Sequence, residues 1–298
     1  KQGAADVGQF QRFAYGGVTK EISEDVFRKW VRFLVSEPDA HAASVALVLY
    51  HGYYLRQSQD RLPEVLTLQV LINPSLFQES DKMMQDQMAS YYWTLIGKAF
   101  VNLYPSRSAE LAETMLEHFG IGGTIIGGLH SKTHSVLGEI LQQHPQDTWE
   151  RIAKYLGPPV DLRSLTIKRW LRGEDFKGRG EDFKGRGEEG ALSLVPPDAV
   201  WQWVDQDVES RAWYLATFVP KLLFSEEDQT CWAREILVRY GEREDVRRNL
   251  IANFSSEGWI GPESVHLDNK RRELLEFRED EEDKKVKLWI DEYVSVLQ

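Results

Sequence analysis

Asp207-Val208-Glu209-Ser210-Arg211, Asp245-Val246-Arg247-Arg248 and Asp283-Lys284-Lys285-Val286-Lys287 carry one short pattern three times: an acid, a valine, and a basic or polar helical start. The valines stand at 208, 246 and 286, which gives steps of 38 and 40 residues. A period in the high thirties is the spacing of two-helix repeat units. Such a unit cannot bury its apolar face without a neighbour.

The same logic extends toward the N-terminus. Ala112, Met115, Leu116, Phe119 and Gly120 form one helical face with a glycine after it, and Trp149, Ile152, Ala153, Leu156 and Gly157 repeat that spacing 37 residues later. A glycine there fits the left-handed cap that other residues adopt only at a cost. Earlier helices are read from Ser23 as an N-cap, with Val26, Trp30, Val31 and Leu34 on one face. Further helices run from Pro38-Asp39 through Leu55, from Pro63 to about Leu71 before the break at Asn73-Pro74, and from about Asp81 to Leu103 before Pro105. In that last helix Met84, Met88, Tyr92, Leu95, Ala99 and Leu103 form the expected stripe. Residues 1–20, with Gly3, Gly8, Gly16 and Gly17, read as a lead-in with one short helix.

Past the break at Pro196-Pro197-Asp198, Trp201, Trp203 and Val204 form a short helix, partnered by Val208, Ala212, Leu215 and Val219. Trp232, Ile236 and Leu237 lead to a helix from Asp245. A hairpin over about 263–279 and 283–297 ends the chain, with Val286, Trp289, Ile290, Tyr293 and Leu297 on one face. No alternation of period two persists long enough for a strand. The expected fold is all-α: a HEAT-like α-solenoid of stacked antiparallel helix pairs in a right-handed superhelix. Residues 1–172 form N-terminal helical repeats, 173–195 a polar loop, and 196–298 the C-terminal repeats. The loop holds GEDFKGR twice in tandem, at 173–179 and 180–186. Glycine and charge in that density cannot bury a core, so the segment to about 192 is expected to be exposed.

Composition narrows the function classes. A net charge of −11 argues against a surface covered in phosphate contacts. No apolar run approaches the ~18 residues of a membrane span. The single cysteine, Cys231, allows no internal disulfide, and a reducing cytoplasm fits best. Beside Trp232 it reads as a small buried hydrophobe. The chain starts at Lys1 with no signal-peptide pattern, and is read as part of a longer polypeptide.

Each candidate for chemistry has a plainer reading. Gly120-Ile121-Gly122-Gly123-Thr124-Ile125-Ile126-Gly127-Gly128 follows a helix, where a phosphate loop follows a strand, and no Gly-Lys-Ser/Thr succeeds it. It is read as a turn between repeats. His130 and His134 are four apart, but zinc needs a third ligand, and no His-Glu-x-x-His exists. A metal hydrolase built on them is a third hypothesis, and it predicts bound zinc. Asp175-Phe176-Lys177 and Asp182-Phe183-Lys184 match the end of a restriction-nuclease motif, yet their glycine flanks oppose the strand it requires. No catalytic, cofactor or metal residue is assigned. Basic residues gather from Arg163 through Lys168, Arg169 and Arg172 to Lys177, Arg179, Lys184 and Arg186, half offset by Glu174, Asp175, Glu181 and Asp182. Lys168, Arg169, Arg172, Arg247 and Arg248 are the candidate partner-binding residues.

The Asp-Val-Arg signature within two-helix units resembles HEAT repeats. That resemblance implies ladders between units from an acid and a base at the start of each second helix: Asp207 with Arg211, Asp245 with Arg247, Asp283 with Lys287. The third unit departs, because two lysines separate its acid from its valine. Ala212-Trp213-Tyr214-Leu215, the run Val238 to Leu250, and Asn253 to Pro262 are similar to C-terminal helical regions of large bacterial proteins, among them NTPases of the signal-transducing STAND type used in phage defence. The likeness covers about the last 100 residues and implies a sensor end whose ATPase and effector lie elsewhere. The expected function is a non-catalytic recognition or scaffolding module, with a protein as its macromolecular partner. The alternative is a nucleic-acid-binding module using the basic 163–186 segment.

Overall fold

The computed structural model describes residues 22–77, 83–118, 135–158, 160–172, 190–220, 231–255 and 262–297. Among these residues there are fourteen α-helices and no β-strand. The first helix, α1 (Glu24–Ser36), starts after Ser23, which takes the extended N-cap conformation. Its buried residues are Phe27 and Val31, whereas Val26 and Trp30 are each 40% exposed. The inward face keeps the expected Val31 and Leu34 but takes Phe27 in place of Val26 and Trp30. Three aromatic rings fix it: Phe27 stacks on Tyr53 at 4.1 Å and meets Tyr54 edge-on at 5.5 Å.

Helix α2 (Ala40–Tyr50) opens on Asp39, whose carboxylate accepts the His41 N–H at 2.9 Å. It is buried on nearly every side because it packs against α1, α3 and α4. A π-helical turn, His51–Leu55, carries the helical path to Leu55 as the pattern predicts. Next, α3 (Glu64–Leu71) follows Pro63. The break after it is pinned by Asn73, which donates to Val35 O at 3.0 Å and accepts the Ser75 N–H at 2.9 Å. Helix α4 (Met83–Leu103) ends before Pro105. Its buried face is Tyr92, Trp93, Ile96, Ala99 and Phe100, while Leu103 is exposed and Leu95 only half-buried. Tyr92 and Ala99 keep their expected inward place, but the face turns away from Leu95 and Leu103 because α2, α3 and α6 all contact this helix and Trp93 Nε1 donates to Leu71 O at 3.0 Å; the side chains of Met84 and Met88 lie outside the described residues.

Helices α5 (Ser108–His118), α6 (Val136–Gln143) and α7 (Pro145–Ala153) follow. Where α4 crosses α6, a Cβ added to Gly97 would lie 2.8 Å from Val136 Cγ2. Only hydrogen fits there. Gly97→Ala is expected to destabilise the fold by about 1–3 kcal/mol through overpacking. Adding Val136→Ala makes room, so the double variant should fall well short of the sum of the two single losses. Chemical denaturation of all four proteins measures this, and strict additivity contradicts the close approach.

Gly157 has φ +118, in the region that favours glycine, but it lies three residues beyond the C-cap Lys154. It turns the connection toward α8 (Leu162–Arg172) and does not cap α7 itself. Asp161 and Ser164 bond reciprocally at the start of α8: each accepts the other's backbone N–H, at 2.7 and 3.0 Å. The expected exposed loop does not extend to its proposed end. Ala191, Leu192 and Val195 are buried, and the short turn Ala191–Leu194 packs on α8 and α6. Three apolar side chains in five residues outweigh the polar stretch before them.

The remaining helices are α9 (Pro197–Asp205), α10 (Val208–Ala216), α11 (Trp232–Tyr240), α12 (Glu244–Ser255), α13 (Glu263–Asp280) and α14 (Lys284–Val296). The acid–valine signature has a local cause in each. Asp207 caps α10 by accepting the Ser210 N–H, and Asp283 caps α14 by accepting those of Lys285 and Val286. Asp245 accepts the Val246 N–H in the first turn of α12. Val246 and Val286 are fully buried, Val208 partly. Many helices contact the next one along the chain, and several the one after it: α2 with α4, α4 with α6, α5 with α7, α7 with α9, α10 with α12. One apolar core runs from Phe27 to Tyr293.

Candidate functional site

The basic edge of α8 is held against α10 and α12. Lys168 Nζ lies 5.9 Å from the centre of the Tyr214 ring, and Arg172 donates to Asn253 O at 3.3 Å. Asn253 is itself buried, and its amide donates to Ala216 O and Val219 O at 3.2 and 3.1 Å. The carbonyl-rich C-terminal ends of α10 and α12 thus meet the cations of α8, where helix dipoles favour positive charge. Arg169 is exposed, and Arg163 lies 5.1 Å from the Tyr155 ring centre. Burial pushes the Tyr214 phenol up, away from ionisation.

The two arginines of α12 have different environments. Arg247 is 8% exposed. It bonds Glu292 through two nitrogens, both at 2.9 Å, and donates to Gly241 O and Glu242 O at 2.8 and 3.1 Å. Its charge faces the neighbouring helix. Arg248, with a side chain 76% exposed, pairs with Glu244 one turn back. So Lys168 and Arg172 converge on one junction, Arg169 and Arg248 stand at the surface, and Arg247 is enclosed.

The links between units differ from those the HEAT resemblance implies. Arg211 donates to Trp203 O at 2.7 Å and lies over the Trp203 ring, while Asp207 and Asp283 act as caps. Other residues make the inter-helix pairs. Arg107 meets Glu64 at 3.0 Å, Lys98 meets Glu139 at 3.3 Å, and Arg151 pairs with Glu113. Arg243 joins Glu209 at 2.6 Å to Asp245 at 2.7 Å, holding the Asp245 carboxyl below its usual range. Arg234 pairs with Glu281 at 2.8 Å, and Arg247 with Glu292. Partners in these links stand 34 to 47 residues apart, close to the repeat step. Opposite charges one period apart were the available sequence signal. The more exposed of these pairs contribute only about 0–1 kcal/mol each and set register more than stability, whereas Glu281 and Arg247 are largely buried and losing a partner there costs more.

Among the described residues, no group of three or more His, Cys, Asp or Glu is placed to hold a metal ion. Cys231 is part-exposed at the start of α11, which corrects the expectation of a buried thiol; the buried neighbour is Trp232. The glycine run 120–128, His130, His134, the GEDFKGR copies with Lys177, Arg179, Lys184 and Arg186, and residues 1–21 lie outside the described residues. No helix among the described residues is long and apolar enough to cross a membrane. No family model matches the chain, and no curated protein or solved structure matches it either.

Proposed function

We propose that this chain is a non-catalytic recognition module in a larger cytoplasmic bacterial protein: a HEAT-like stack of antiparallel helix pairs that grips another protein. The observation that supports this reading is that several inter-helix charged pairs join residues 34 to 47 positions apart, near the step of the sequence repeats. Contacts between successive units of a quasi-linear stack would have that span. Such a stack offers a long surface with little need for a central cavity. In the context of the resembling STAND-type defence proteins the module is the sensor, and the ligand is a foreign protein. Binding along the stack favours one arrangement of the units and shifts the population of a distant effector.

Arg169 and Arg248 are the test positions, because both are exposed and neither contributes to the core. A photo-crosslinking side chain placed at each, in cells carrying the whole parent protein, is expected to give adducts to one protein that appear on phage challenge. Arg169→Glu with Arg248→Glu should weaken that capture roughly tenfold while leaving the circular dichroism unchanged. Adducts to nucleic acid, with binding that falls steeply with salt, support the nucleic-acid module in place of this reading. Full defence with no adduct at either position refutes it.

A further inference from the structure

The geometry points to α13 as a self-pairing surface, its occupant a second copy of this chain aligned antiparallel. Helix α13 spans 18 residues, about 27 Å, yet buries only Leu274. Its inner face rests on α14, and Lys270 turns inward to donate to Phe254 O at 2.8 Å, with its charge over the Tyr293 ring. The outer face carries Val265, Asp268, Arg272 and Leu275, all exposed, Val265 by 53% and Leu275 by 40%.

The order of these four residues is self-complementary about position 270. A two-fold axis there sets Val265 of one copy against Leu275 of the other, and Asp268 against Arg272, each twice. That makes two apolar contacts flanking two opposite-charge contacts. An isologous dimer needs such a patch to be complementary to itself. Lys270, at the level of the axis, directs its charge into its own chain and stays out of the contact. Arg272 is already held at the surface by Asn269 at 2.8 Å. One helix per copy buries less than a standard interface, so the pairing is weak, concentration-dependent and sensitive to salt.

Sedimentation equilibrium of the full chain tests this. The wild type is expected to show a monomer–dimer equilibrium at high micromolar concentration. Asp268→Arg places arginine against arginine, and Arg272→Asp places aspartate against aspartate. Each should weaken the dimer roughly tenfold or more, with circular dichroism unchanged. The double variant, carrying both substitutions, should dimerise like the wild type. Mixing the two single variants should restore a heterodimer, because each mutated position then meets its opposite. A folding defect cannot produce that rescue. A wild type that stays monomeric to its solubility limit, a dimer indifferent to both reversals, or a loss not rescued by mixing overturns the proposal.

Discussion

Trp149→Ala is expected to lower the unfolding free energy by about 4 kcal/mol, near the upper end for a buried aromatic. Trp149 is 1% exposed on α7. Its Nε1 donates to Ala199 O at 3.2 Å, a residue 50 positions further on, and its ring meets Trp203 edge-on at 5.8 Å. Both partners lie on α9. The indole therefore joins the helices before the GEDFKGR segment to those after it. Its removal leaves a cavity, and the α9 side of the junction loses a hydrogen bond and an aromatic contact. For a chain of this size the melting temperature should fall by roughly 10 °C. Trp149→Phe keeps most of the apolar contact and loses the donor, so it should cost about half as much. Because the residue sits at a join, Trp149→Ala is also expected to split a single denaturant transition into two. A shift below 1 kcal/mol, or a loss as large for phenylalanine as for alanine, contradicts this account.

Glu281→Ala is expected to cost about 3 kcal/mol, and its effect should depend on pH. The Glu281 side chain is 2% exposed in the short connection between α13 and α14. It accepts from Arg234 Nε and Nη2 at 2.8 and 2.9 Å, and from the backbone N–H groups of Glu282 and Asp283 at 2.9 and 2.8 Å. One carboxylate thereby ties the terminal hairpin to α11 and sets the chain direction into the Asp283 cap. Arg234 is 37% exposed and regains water when its partner is lost, which limits the penalty. Glu281→Gln keeps the shape and the backbone bonds and should lose about half as much. The bond from Arg234 holds the Glu281 carboxyl below its ordinary value of 4.5, against the opposing effect of burial. A lowered folded-state pKa means that the stabilisation is complete above the unfolded value. It disappears as pH falls from there through the lowered folded value. Glu24, Glu110, Asp161, Asp207 and Asp245 are also lowered and contribute to the same acid loss. The difference between wild type and Glu281→Gln isolates this residue: it should be constant near neutrality and shrink on acidification. A difference that grows at low pH reverses the sign and rules the explanation out.

Helix boundaries were largely legible in the sequence, because caps and breakers are local. Ser23, Asp39, Pro63, Asn73-Pro74, Pro105, Pro197 and Asp283 all stand where the chain starts or stops a helix. On the last helix the periodicity picks out the inward face: Val286, Trp289, Ile290 and Tyr293 are fully buried, while Leu297, just past the helix end, is partly buried. Orientation was less legible where a helix has apolar residues on more than one side. On α1 and α4 the sequence permits two adjacent stripes, and contacts with Tyr53, Tyr54 and Leu71 select between them. The basic residues of α8 and α12 looked alike in sequence, yet Arg247 is enclosed and Arg248 exposed. Adjacent positions on a helix point about 100° apart, and only a neighbouring helix decides which of them meets Glu292.

The sequence by itself determined that this protein is helical, where its helices begin, and that acid–valine pairs recur near every 38 to 40 residues. Those features depend on hydrogen bonds and periodicities within a few residues. Only the tertiary structure decided which charges join helices to one another and which face outward. The Arg234–Glu281 and Arg247–Glu292 pairs join residues more than 40 positions apart, so their formation depends on how whole helices pack. The outward row on α13 is likewise defined by what α14 covers. Burial is a relation between elements, and a local pattern carries no information about the side from which a neighbour arrives.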